Sequence, residues 1–288
     1  MRFRKVYEAL GGHEFDPSSG YLHKGILVSV APFKHEPMKD VVRVGVNHGT
    51  SNRGQKDFFG PEGKEIFDHY FVDGPKHKWI LKKKGHCLRW GRMVKTGNTV
   101  TDDYINGMFN FKKAREKMGI KNDKPILMLA PSRGVAVLND VIPRLEEFKD
   151  EYNIIVRPHP YDKITLDNTK KMNWIKRFDG VIHDVMFAAD VLMTDSSSVQ
   201  YDFAVTGKPI VLFKEIYTNT FWDPPKFNMQ YHAPLICSKK GDIKAAIEAA
   251  KYKGEDFKRV FYNSFWNPGK GNRKIIDWLK KTIEKRWL

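Results

Sequence analysis

Residues 191–213 read V-L-M-T-D-S-S-S-V-Q-Y-D-F-A-V-T-G-K-P-I-V-L-F, and this stretch decides the fold. An apolar strand, residues 191–193, runs into a cluster of five polar residues. A helical pattern follows over residues 199–205, and a second apolar strand over residues 209–213. Strands apolar at nearly every position are buried on both faces, as in a parallel sheet covered by helices.

The same alternation extends upstream. Residues 126–130 (I-L-M-L-A) form a strand ending in P-S-R-G, with a helix around residues 139–152 behind it. Residues 153–156 (N-I-I-V) form a strand ending in R-P-H-P. A short strand near Val181 precedes the helix-like D-V-M-F-A-A-D. Residues 125–213 therefore read as an α/β nucleotide-binding half-domain. In such sheets ligands bind at the carboxyl ends of the strands, where each distinctive turn lies.

The first third has a different texture. Residues 26–30 and 41–46 look like strands, the second followed by N-H-G-T-S-N-R-G. Residues 70–72 end at the turn D-G-P, and residues 94–97 give a further short strand. Residues 111–118 form a basic helix, with Gly119 as its stop. The tail, residues 272–288, is an amphipathic helix with Ile275, Ile276, Leu279, Ile283 and Trp287 on one side.

The formal net charge of +16 over 288 residues implies an anionic partner: nucleic acid, an anionic membrane surface or a phosphorylated substrate. Excess lysine serving solubility is the plain alternative. Cys87 and Cys237 are the two cysteines, without metal-ligand spacing or a disulfide framework. The first residues lack an apolar signal core, and no apolar run approaches the roughly 20 residues needed to span a bilayer. The expectation is a cytoplasmic protein, with surface attachment to a membrane left open.

Several chemistries lack their signatures. There is no G-x-x-x-x-G-K-[ST] loop, no G-x-G-x-x-G fingerprint and no D-x-D pair for a metal–nucleotide complex. H-E-x-x-H and G-x-S-x-G are also missing. No cofactor or metal is called for. Charge on a departing diphosphate would then be neutralised by Arg, His, hydroxyls and helix N-termini.

Four turns can do this. Thr194, Asp195, Ser196, Ser197 and Ser198 follow a strand and open a helix, an arrangement that favours an anion. Asp195 itself would cap the helix or bind a hydroxyl. In R-P-H-P the prolines frame Arg157, a planar fork for phosphate oxygens, and His159, a donor or proton carrier. Ser132 and Arg133 form a similar turn after residues 126–130. In N-H-G-T, Gly49 permits close approach and His48 is a candidate general base.

Taken in order, these pieces resemble the CDP-glycerol glycerophosphotransferase family, which includes teichoic acid primases and polymerases. The matches are H-G-T at His48, F-D-H-Y-F-V-D-G-P-K from Phe67, V-K-T-G from Val94, L-A-P-S-R from Leu129, R-P-H-P, and the stretch from Ala189 to Phe213. Ser196 stands where the family carries an aromatic, and Asn47 where it carries a tryptophan.

The resemblance implies an α/β fold of two Rossmann-like halves with parallel sheets and an inter-domain cleft (the GT-B type), the N-terminal half shortened. Residues 1–118 would be the acceptor side and residues 119–271 the donor-binding domain, with residues 272–288 packing back on the first half. It further implies transfer of a polyol phosphate from a CDP-activated donor to a membrane-anchored or polymeric acceptor, releasing CMP. His48 would be the base, with His159 the second catalytic candidate. Arg157, His159 and residues 194–198 would hold the donor pyrophosphate, and Asp202 would orient that turn or the donor.

Two alternatives compete. One keeps the fold but makes the chain a nucleotide-sugar glycosyltransferase or a UDP-sugar 2-epimerase. A T-D-S-G-G turn is expected of the latter, against T-D-S-S-S here. The other is a basic nucleic-acid-binding protein, for which K-H-K-W-I-L-K-K-K (residues 76–84) is the best segment.

Overall fold

The computed structural model describes residues 25–29, 40–46, 67–83, 92–132, 135–159, 172–214 and 224–287. The first strands are β1 (Gly25–Ser29), β2 (Val41–Val46), β3 (His69–Val72) and β4 (Met93–Lys95). Helix α1 (Pro75–Lys83) joins β3 to β4, and α2 (Asp102–Ile105) and α3 (Phe111–Lys117) follow. Next come β5 (Ile126–Leu129), α4 (Val135–Val141), β6 (Asn153–Val156), β7 (Ile175–Arg177), β8 (Val191–Thr194), α5 (Val199–Phe203), β9 (Ile210–Phe213) and β10 (Leu235–Ile236). The chain ends with α6 (Ile243–Lys251), α7 (Gly254–Ser264) and α8 (Gly271–Trp287).

Two compact units result: residues 1–105 with 263–288, and residues 106–262. The expected breaks at 118/119 and 271/272 thus move to 105/106 and 262/263. The reasons are local contacts. Phe109, just before α3, stacks edge-on against Phe187 at 5.3 Å, inside the second unit. Trp266 donates its amide to Asp73 O at 2.9 Å, inside the first.

The first unit holds a parallel sheet of order β1-β2-β3-β4. Alternation along the strands gives it two apolar faces. On one, Val42, Val44, Val46 and Phe71 pack with Ile275 and Leu279 of α8. On the other, Tyr70 and Val72 pack with Phe67 and with Leu81 of α1. Trp278 meets His69 at 4.9 Å and Phe71 at 5.3 Å, both edge-on. Ile283, placed on the apolar side of the tail helix by sequence, is 37% exposed.

Two motif glycines explain how the return segment reaches that sheet. A Cβ on Gly74 of D-G-P would collide with Ser264 O, and one on Gly97 of V-K-T-G with Trp266 O. Gly97 also has φ 115°, in the left-handed range that side chains avoid. Asp102 then caps α8, accepting from Gly271 N at 3.1 Å and Asn272 N at 2.7 Å.

The second unit is a parallel sheet of order β10-β9-β8-β5-β6-β7. The residues of β5, β8 and β9 are all 2% exposed or less, as the unbroken apolar runs imply. Three local expectations change. The helix expected over residues 139–152 is α4 followed by a 3-10 helix, Ile142–Phe148, because Pro143 has no N–H to continue the α pattern. D-V-M-F-A-A-D is a pair of 3-10 turns, Ile182–Asp184 and Met186–Ala188. The strand expected near Val181 is instead β7, where Ile175 pairs with Ile154. Val181 follows the Asp179–Gly180 turn and is 44% exposed.

Candidate functional site

The order of the second sheet reverses between β5 and β8. From β5 the chain winds outward through β6 to β7, then returns to the other side of β5 and continues β8, β9, β10. Such a switch point leaves a crevice at the carboxyl ends of the two strands, the general ligand position in open α/β sheets. The turn after β5 carries Pro131 and Ser132, and the turn after β8 carries residues 195–198. Arg157 follows the neighbouring β6.

Asp195 fastens the two turns together. Its carboxylate, 0% exposed, accepts from Ser132 N at 2.8 Å, Ser132 Oγ at 2.9 Å and Ser197 N at 2.9 Å. The Ser197 contact is an Asx-type turn, and the Ser132 contacts cross from one strand end to the other. Thr194 Oγ1 adds a second tie, donating to Ala130 O at 2.7 Å. Gln200 Nε2 braces the serine turn by donating to Ser197 O at 2.9 Å. A carboxylate this buried is tolerable because several donors satisfy it. Both donors of Ser132 therefore face Asp195, which makes Ser132 part of the frame.

Two buried donors point elsewhere. Ser196 Oγ and Arg157 Nε are shielded from solvent and have no protein partner. Each such group costs about 1–3 kcal/mol unless something accepts its proton. Each is a donor that an anionic oxygen could satisfy. Burial pulls the Arg157 pKa below its ordinary value, with Asp179 opposing, and the guanidinium keeps its charge at neutral pH. Ser198 opens α5 without spending its hydroxyl on a cap hydrogen bond. With α5 only five residues long, helix dipole adds little; hydroxyls and the guanidinium supply the affinity for an anion.

His159 is partly buried just past β6. Asp202, 2% exposed on α5, lies 3.6 Å (Oδ2) from Nε2 of His183. Sequence reasoning missed His183, because the segment was read as a helix beginning one residue later. The available signal was topological: the crossover into β8 must pass beside the helix that leaves it. His48 and Arg133 lie outside the described residues.

Of the segment 76–84, residues 76–83 are described, and their basic side chains divide between buried and exposed positions, Lys82 and Lys83 being exposed. Within α1, Lys76 and His77 are each 1% exposed, beside buried Ile80 and Leu81. Among the described residues no cluster of His, Cys, Asp or Glu is arranged to hold a metal. None of their helices is long and apolar enough to cross a membrane.

The family model for CDP-glycerol:poly(glycerophosphate) glycerophosphotransferase matches residues 62–220. The teichoic acid glycerol-phosphate primase of Bacillus subtilis is 29% identical over 150 residues, covering 50% of this chain and 39% of that protein. The teichoic acid glycerol-phosphate transferase of Staphylococcus aureus is 25% identical over 187 residues, 57% of this chain and 46% of that one. The chain thus spans about two-fifths to one half of the length of these relatives. Among solved structures, the wall teichoic acid polymerase TagF superposes with a TM-score of 0.67 at 18% identity, over 91% of this chain and 74% of that one. A putative UDP-N-acetylglucosamine 2-epimerase from Listeria monocytogenes reaches 0.56 at 13% identity, over 98% of this chain and 77% of that one. At those identities the likeness is one of fold, of the GT-B type.

Proposed function

The chain belongs to the CDP-glycerol:poly(glycerophosphate) glycerophosphotransferase family, and from that membership we propose that it moves a polyol phosphate from a CDP-activated donor to an acceptor hydroxyl of a cell-surface polymer. One observation carries the reading. Beside the strand ends that Asp195 ties together stand two buried donors without protein partners, Ser196 Oγ in the turn after β8 and Arg157 Nε just past β6. That chemistry suits the oxygens of a diphosphate.

In the proposed reaction the acceptor oxygen attacks the phosphorus bearing the polyol. The bond from that phosphorus to the bridging oxygen breaks, and CMP departs with the bridging oxygen. The acceptor proton passes to His48, the base by motif matching. Arg157, with Ser196 and Ser198, compensates the charge that grows on the leaving phosphate. His159, at the adjacent strand end, is placed by motif matching in the same donor site. Net charge of +16 and the basic residues of α8 favour work on an anionic polymer or at the inner surface of an anionic membrane.

The test is direct. The protein is incubated with CDP-glycerol, CDP-ribitol or UDP-N-acetylglucosamine and a polyol-phosphate acceptor, and the nucleotide product is followed. CMP release from a CDP-polyol is the expected result, with none in His48→Ala although that variant still binds donor. UDP release alone, or no turnover and no donor binding, overturns the proposal.

A further inference from the structure

We propose that His183 is a positioning residue of the donor site, acting through Asp202; the role rests on the donor reading above. Asp202 follows Ser198 by four residues, so the two share one face of α5. A helix of five residues does not hold its own direction and depends on side-chain anchors. One end is anchored by Asp195 on Ser197 N and by Gln200 on Ser197 O. At the other end the buried Asp202 carboxylate meets the His183 imidazole, Nε2 to Oδ2 3.6 Å.

His183 is well placed to act as an anchor. It belongs to the 3-10 turn Ile182–Asp184, which leads from β7 toward the switch strand β8. The next residue, Asp184, pairs with Lys117 of α3 at 2.6 Å, holding the turn from its outer side. The imidazole is one-third exposed, whereas Asp202 is nearly inaccessible. Losing the imidazole removes one of the contacts that hold this buried carboxylate in place. Such a group moves toward water when it can. On a helix this short, that movement carries Ser198 and the serine turn with it.

The experiment compares His183→Gln, His183→Asn and Asp202→Asn with the wild type, by equilibrium titration with CDP-glycerol and with CMP. The glutamine amide reaches the carboxylate and the asparagine amide falls short. His183→Asn should weaken donor binding by about tenfold, and His183→Gln by less than about threefold. The double variant His183→Asn with Asp202→Asn should bind no worse than the weaker single, since both remove one contact. In turnover, the KM for donor should rise with kcat held.

A folded His183→Asn with the wild-type Kd overturns the inference, as does a fall in kcat at constant KM. Should His183→Asn fail to fold, Asp202→Asn carries the decision. A wild-type Kd in that variant overturns the inference, and weakened binding beside an intact His183→Gln supports it. A wild type that binds neither ligand overturns the donor reading, and this role with it.

Discussion

Asp195 takes both hydrogen-bond donors of Ser132, the amide at 2.8 Å and the hydroxyl at 2.9 Å, across the switch point of the second sheet. The carboxylate is therefore a beam between two strand ends. Asp195→Ala should lower stability by about 1–3 kcal/mol, because the part-buried donors of Ser132 and Ser197 lose their buried acceptor. Urea unfolding measures this. Donor binding should be lost as well, since the serine turn no longer has a fixed position. Asp195→Asn, keeping one acceptor oxygen, should fall between.

Arg157 carries the opposite balance. Its Nε is buried without a protein partner, so the free protein bears a cost that a ligand removes. Arg157→Met should leave the Tm unchanged or raise it, while the donor Kd rises at least about tenfold, or ~1.4 kcal/mol. Arg157→Lys keeps the charge and loses the fork, and should bind donor with intermediate affinity. A large drop in Tm with unchanged donor binding would mean that Arg157 serves the fold instead.

The cap on α8 gives a pH dependence. Burial pushes the Asp102 carboxyl above the ordinary carboxylate range, and the amides of Asn272 and Gly271 offset this only in part. The folded chain thus binds this proton more tightly than the unfolded chain. Stability referred to this group falls as pH rises from the ordinary carboxylate value, about 4, through the raised folded value, and is level above it. Asp102→Asn cannot titrate. In paired unfolding curves from about pH 4 to about pH 7, the variant should gain on the wild type as pH rises. A wild type that gains on the variant would contradict the assignment.

Much of the second unit was legible because burial on both faces leaves an unbroken apolar run. The residues of β5, β8 and β9 show this directly, and strand-end turns follow from it. β7 was not legible: Ile175 is followed by Lys176 and Arg177, so the pattern of the strand resembles surface, while Val181 nearby offered a misleading apolar residue. Asp195 was readable as a cap or hydroxyl binder, and its tie to Ser132 adds a partner 63 residues away. D-G-P and V-K-T-G were readable as motifs. Their cause was not, because the carbonyls that forbid a side chain at Gly74 and Gly97 arrive from residues 264 and 266. The His183–Asp202 pair has no periodicity to announce it. Only the crossover path brings it together.

Hydrogen exchange with and without CDP-glycerol tests most directly whether the donor diphosphate occupies the β5/β8 switch point. Saturating donor should slow exchange at the amides of Ala130, Ser132, Arg157, His159 and residues 194–199, with little change in the strands behind them. Donor that binds and protects other segments while leaving these three turns unchanged would contradict the account.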